Sequence, residues 1–179
     1  MKKDIRWVVT RIDGKIASVC ADFRHLPRIA DQVNRLPEGA VNEIVVSKVG
    51  MDELVALSAR TGWDDMKLFG TPFQLDVWHR LYLFTHHEDG TPILPDEGIK
   101  LLSYSQLADL CGNPVAYIIP CHLIVPKEAI DKILAIRTVA EGTIFKGTDL
   151  YLLDSIEVGE YEYGSALKRR VIERKVYGR

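Results

Sequence analysis

The sequence predicts two domains: an α/β domain over residues 1–67 and a mostly α domain over 68–179, with a helix-turn-helix outline in the second. Three observations predict this. Short β-branched runs broken by turn residues fill the first fifty positions. Helix start signals dominate from Gly70 onward. Two helix signals separated by a single Gly-Asn-Pro turn follow after residue 103.

The elements follow in order. Ile5 to Ile12, Asp13-Gly14 and Lys15 to Phe23 form a β-hairpin pattern, because Asp-Gly suits the two left-handed positions of a tight hairpin turn. Pro27 to Leu36 suits a short helix, and Glu43 to Val49 a further strand. Met51 to Thr61 is amphipathic and stops at Gly62. The domain boundary falls near 63–70. There Thr71 caps a helix and Pro72 occupies its first turn, where a missing N–H costs nothing. Phe73, Val77, Leu81 and Phe84 recur at helical spacing and predict its buried face.

His86 to Lys100 is a polar loop with Gly90, Pro92, Pro95 and Gly98, in which His86 and His87 are expected to be solvated. Ser103 caps a helix over Tyr104 to Cys111, with Cys111 as a packing residue, and Gly112 stops it. Asn113-Pro114 then opens a second helix, but only Val115-Ala116-Tyr117 precede the next apolar run. That is about one turn at 3.6 residues per turn. A recognition helix is announced without room to form.

The apolar run Tyr117 to Val125 predicts a buried strand, interrupted by Pro120-Cys121-His122. A buried thiol with an imidazole nearby is one way to make a thiolate at neutral pH. The alternative is a core cysteine beside a surface histidine, since free cysteine packs as a small hydrophobe.

Totals exclude some classes. The 179 residues are 47% hydrophobic and 27% charged, an ordinary globular balance. A net charge of −2 gives no global field for a polyanion. Charge is instead local: Lys168, Arg169, Arg170, Arg174, Lys175 and Arg179 crowd the last fifteen positions after an acidic stretch. No apolar stretch reaches membrane-spanning length, and the start does not resemble a signal peptide. With three sparse cysteines, a cytoplasmic protein with reduced thiols and no membrane association is expected.

Five segments occur in one order: Gly70-Thr71-Pro72-Phe73-Gln74-Leu75-Asp76-Val77-Trp78, Ser103-Tyr104-Ser105-Gln106-Leu107-Ala108, Gly112-Asn113-Pro114, Pro120-Cys121-His122 and Tyr161-Glu162-Tyr163-Gly164-Ser165-Ala166-Leu167-Lys168. Together they resemble the landmarks of the methylated-DNA–protein-cysteine methyltransferases, which repair O6-alkylguanine. The resemblance covers most of residues 68–175, whereas residues 1–67 match only in length and in strand–helix order. It implies a winged helix-turn-helix-like core that binds double-stranded DNA and flips the damaged base into a pocket. It implies Cys121 as alkyl acceptor and His122 as the group that draws off its proton. Tyr104 would help neutralise the departing guanine. Gln74, Ser105, Asn113 and Lys168 would contact DNA. The S-alkyl cysteine is not regenerated, so the protein would act once, as a monomer, without cofactor or metal.

The chain departs from the family pattern. The segment that holds the family's recognition helix, its arginine finger and a bracing asparagine is absent between Asn113-Pro114 and Cys121. Leu123 stands where the family has arginine. The family's terminal glutamate aligns with Lys175, and Glu173, two residues earlier, is the carboxylate nearest to that position in the sequence. The 35 residues between Val125 and Tyr161 are more than the family needs. Within them, Ala135-Ile136-Arg137-Thr138-Val139 is similar to the core of the missing helix. Pro126 can open a helix there and Gly142 can close it, with Ala129, Ile133, Ile136 and Ala140 in one stripe. A recognition helix relocated to 126–141, with Arg137 as the intercalating finger, is one reading of this segment, and an ordinary amphipathic helix with a solvated arginine is the other; both stay open.

Cys20-x4-His25 supplies two potential zinc ligands, and two do not make a structural site. Two other functions stay open beside alkyl transfer. One is a DNA-binding module that senses alkylguanine without repairing it. The other is a remodelled family member without DNA activity.

Overall fold

Asp13 and Gly14 both take positive φ, 48° and 80°, as the two central positions of a hairpin turn that matches strand twist require. They join β1 (Trp7–Ile12) to β2 (Lys15–Cys20) in the antiparallel hairpin expected, with a bulge between Thr10 and Arg11. The structure is a computed structural model. It describes residues 6–23 and 26–94, then 99–100, 102–103, 115, 118–119, 124–125, 128, 144–145 and 165–177.

The same turn anchors a third strand. The Asp13 carboxylate accepts from the Asn42 and Glu43 N–H groups, each at 2.9 Å, and Asp13 N–H donates to the Glu43 carbonyl at 2.9 Å. β3 (Ile44–Val49) then runs antiparallel to β1, giving the order β2-β1-β3. β1 is buried on both faces, from Trp7 through Thr10. On one face Ile12 and Ala17 pack with Ile29 of α1 (Leu26–Asn34), alongside Val33, Val41 and Phe69. Burying each large aliphatic side chain of this kind stabilises by about 1.5–3 kcal/mol.

α2 (Met51–Arg60) follows directly. Asp52 and Glu53 lie at its positive end and Arg60 at its negative end, which suits the helix dipole. It buries Leu54, Leu57 and Ser58. The chain then closes the outer edge of β2: Met66 bridges Ile16, Lys67 N–H donates to the Ile16 carbonyl at 2.8 Å, and Val115 bridges Val19.

α3 (Pro72–Tyr82) starts as its sequence announces. Thr71 caps it, with Pro72 inside the first turn. Its buried face differs from the expected one. Trp78, Leu81 and Tyr82 are buried, Val77 and Phe84 are half-buried, and Phe73 is 65% exposed. The large rings of Trp78 and Tyr82 seat the helix, which turns Phe73 outward. Residues 68–92, placed in the second domain by sequence, belong to the first compact unit (Met1–Pro92 and Gly112–Ile119).

The second unit comprises Ile93–Cys111 and Pro120–Arg179. Its described frame is two short strand pairs and a helix. β4 (Ile99–Lys100) pairs antiparallel with β7 (Ile144–Phe145), and β5 (Leu102–Ser103) pairs parallel with β6 (Ile124–Val125). α4 (Ser165–Tyr177) carries most of the basic cluster noted near the end of the sequence. Among the described residues, no helix is long and apolar enough to cross a membrane.

Candidate functional site

The residues that carry the expected chemistry lie mostly outside the described residues. Cys121, His122, Tyr104, Ser105, Asn113 and Arg137 are all in this group, as are His25 and Cys111. What the structure does describe is the frame beside them. β5 ends at Ser103, directly before Tyr104, and β6 begins at Ile124, two residues after His122. Their register sets Leu102 beside Ile124 and Ser103 beside Val125. Adjacent strands lie about 4.8 Å apart. Because the pair is parallel, Tyr104 follows the C-terminal end of β5 while Cys121-His122 precede the N-terminal end of β6, so the two segments join opposite ends of the pair.

The frame also bounds the segment proposed to hold the finger. Residues 126–143 leave from β6 and return at β7, and both strands pair within residues 99–103. Glu128 is helical and exposed; the remainder of the expected 126–141 helix lies outside the described residues. The stretch before Cys121 is in part described. Ile119 N–H donates to the Val115 carbonyl at 3.1 Å, the spacing of a single helical turn, and Ile118 sits in a turn rather than a strand. The strand expected over 117–125 is described only at Ile124–Val125.

Two expected DNA contacts are described: Gln74 has a structural task and Lys168 is buried. The Gln74 side-chain oxygen accepts from Thr71 N–H at 2.9 Å, while the Thr71 hydroxyl accepts from Gln74 N–H at 3.2 Å. This reciprocal cap satisfies two orphan donors at the start of α3. Only the amide nitrogen of Gln74 is left over for another partner. Lys168 is 1% exposed and shares a face of α4 with the buried Val171 and Ile172. It belongs to the buried side of the helix, whereas Arg170 is on the exposed side. Glu173 lies in α4 by its backbone.

Sequence reasoning missed a polar aromatic cluster at the C-terminal end of α2. His86, expected to be solvated, is 1% exposed. Its ring stacks on Tyr82 with centroids 4.0 Å apart and planes at 6°. Its Nε2 lies 2.9 Å from the Ser58 carbonyl, and a carbonyl can only accept, so Nε2 carries the proton. Its Nδ1 is 3.0 Å from the Thr85 hydroxyl. The Tyr82 hydroxyl donates to the Thr61 carbonyl at 2.9 Å, and Trp63 packs against both Tyr82 and His79. Burial, aided by the carboxylates of Asp65 and Asp89, pushes the Tyr82 phenol up to about 12. The hydroxyl therefore serves as a donor to a helix carbonyl, with no proton to give up near neutral pH. Nothing local marks this role for His86, because its partner Ser58 is 28 residues away.

Cys20 is buried and its thiol lies 2.7 Å from the Asp22 carbonyl, a packed position. Among the described residues, no group of histidine, cysteine or carboxylate side chains could hold a metal ion.

No family model, no curated protein and no solved structure matches this chain.

Proposed function

We propose that the chain is a single-use acceptor of alkyl groups from O6-alkylguanine in duplex DNA, with Cys121 as the acceptor. The observation that carries this reading is the order of the five segments from Gly70 to Lys168. In the reaction, His122 draws the proton from the Cys121 thiol, and Glu173 is the carboxylate that accepts it onward. The thiolate attacks the alkyl carbon, an S–C bond forms and the C–O6 bond breaks. The guanine leaves as an anion and takes a proton from Tyr104. Ser105, Asn113 and Arg137 contact the DNA, and Gln74 joins them through its amide nitrogen. Lys168, being buried, is left out of the contacting set.

A second reading is a remodelled domain without DNA activity. Two observations favour it: Gln74 is committed to a helix cap, and Lys168 is withdrawn from the surface. Incubation with an O6-methylguanine duplex followed by intact-mass measurement separates the two. Alkyl transfer adds one methylene to the chain, and Cys121→Ser abolishes the gain. An unchanged mass, with no lesion-selective binding, establishes the second reading.

A further inference from the structure

β3 is the open edge of the three-stranded sheet, while the β2 edge is closed by Met66, Lys67 and Val115. Asp13 N–H bonds to the Glu43 carbonyl, so odd-numbered residues of the β1–β3 pair make its ladder. Ile44, Val46 and Lys48 therefore turn their N–H and C=O groups outward, and no backbone partner meets them among the described residues. Ile44, Val45 and Val46 are 47%, 42% and 45% exposed at successive positions, so both faces of this edge are apolar. Natural edges are blunted by proline, bulges or outward charges. Residues 44–49 hold no proline or glycine, and the bulge lies between β1 and β2. The one charge, Lys48, lies over the Phe23 ring, 4.8 Å from its centroid.

The geometry points to a second copy of this chain as the occupant, paired antiparallel through β3 about a two-fold axis at Val46. The outward residues are symmetric about that position. Val46 meets Val46 of the second copy, and Ile44 meets Lys48 at both ends, so each outward donor finds an outward acceptor. Centring on Val45 or Ser47 instead leaves Lys48 or Ile44 opposite a residue outside β3. Charge agrees with the Val46 centre. Lys48 falls opposite Ile44 and Glu43 opposite Val49, so no like charges meet. The half-exposed side chains of Phe23, Ile44, Val45 and Val46 supply only a fraction of the roughly 800 Å² per partner of a stable interface. Backbone pairing thus carries the contact, and the dimer is reversible and concentration-dependent.

Sedimentation from low micromolar to millimolar protein, with amide exchange read at both ends, tests this. The weight-average mass should approach twice that of one chain. The Ile44, Val46 and Lys48 amides should gain protection with concentration, while Val45 and Ser47 stay protected throughout. Val46→Lys, which sets two ammonium groups at the axis, should remain a single chain. A one-chain mass across the range overturns the proposal. So does association that leaves the three outward amides exchanging freely. Exchange on the unmutated protein decides the matter even if Val46→Lys fails to fold.

Discussion

Tyr82 and His86 stack face to face, 4.0 Å between ring centroids, and each donates to a carbonyl at the C-terminal end of α2. The last four carbonyls of a helix have no partner within it. Here Tyr82, the last residue of α3, and His86 just beyond it donate to the Thr61 and Ser58 carbonyls, while the Thr61 hydroxyl donates to the Leu57 carbonyl at 2.6 Å. The cluster links α2 to α3 through polar bonds within an aromatic shell.

Removing the Tyr82 hydroxyl isolates one of these bonds. Tyr82→Phe keeps the ring and its stacking but leaves the buried Thr61 carbonyl short of a donor. A loss of about 1–3 kcal/mol is expected in chemical denaturation at neutral pH. The alkaline limb should change as well. The folded state holds the phenol proton up to about 12, while an unfolded tyrosine releases it near ~10. This contribution is therefore complete below about 10 and is lost as pH rises toward 12. Tyr82→Phe should flatten the fall in stability over that window. An equally steep fall in the variant would show that other groups cause it.

Local signals in this sequence were legible and long-range ones were not. Asp13-Gly14, Gly62 and Thr71-Pro72 are punctuation, read from two or three residues, and each element they bound is present. The face of α3 was misread because Phe73, Val77, Leu81 and Phe84 fit the same helical period as Trp78, Leu81 and Tyr82. Period alone does not choose between stripes a fraction of a turn apart. His86 was misread because its neighbours are polar while its partner is Ser58. The exposure of Ile44, Val45 and Val46 was hidden for a related reason: an apolar β-branched run looks alike at a sheet centre and at an open edge. For the candidate site, the segment order was legible, but the capping task of Gln74 and the burial of Lys168 depend on the folded chain.

Asp13 should make the hairpin turn sensitive to acid. The Glu43 and Asn42 N–H groups hold its carboxyl below the usual range. A lowered folded pKa gives stability that is present above the unfolded value, about 3.9, and is lost as pH falls through the folded one. Asp13→Asn keeps a side-chain acceptor and also tolerates the left-handed backbone at φ 48°. Denaturation midpoints measured down the acid range should fall less steeply for Asp13→Asn than for the unmutated protein. Parallel curves would remove Asp13 from the acid response.

Gly70 has no room for a side chain. A Cβ built there would lie 2.7 Å from a ring carbon of Trp78 and 3.3 Å from the Gln74 Cβ. Trp78 is 1% exposed, so its ring cannot swing away without disturbing its neighbours. Gly70→Ala should cost about 1–3 kcal/mol, the range for overpacking. The near-ultraviolet circular dichroism of the tryptophans should change with it. An unchanged spectrum and midpoint would mean that the loop before α3 yields instead.

Gln74 can be made to separate its cap from any contact with DNA. Gln74→Glu keeps an oxygen acceptor for Thr71 N–H and adds a negative charge at the start of α3, where the helix dipole favours it. Thermal stability should hold or rise by a few tenths of a kcal/mol, within the range for one such charge. Gln74→Ala should instead lose about 1 kcal/mol, the scale of a broken cap. DNA affinity then reports on the second role. The amide nitrogen is the group that glutamate lacks, and the added carboxylate repels phosphate. If Gln74 touches DNA, Gln74→Glu should weaken duplex binding severalfold while the fold stays intact. If affinity and its salt dependence are unchanged, Gln74 is a capping residue alone, and the Gly70 to Trp78 segment keeps its pattern for the helix it starts.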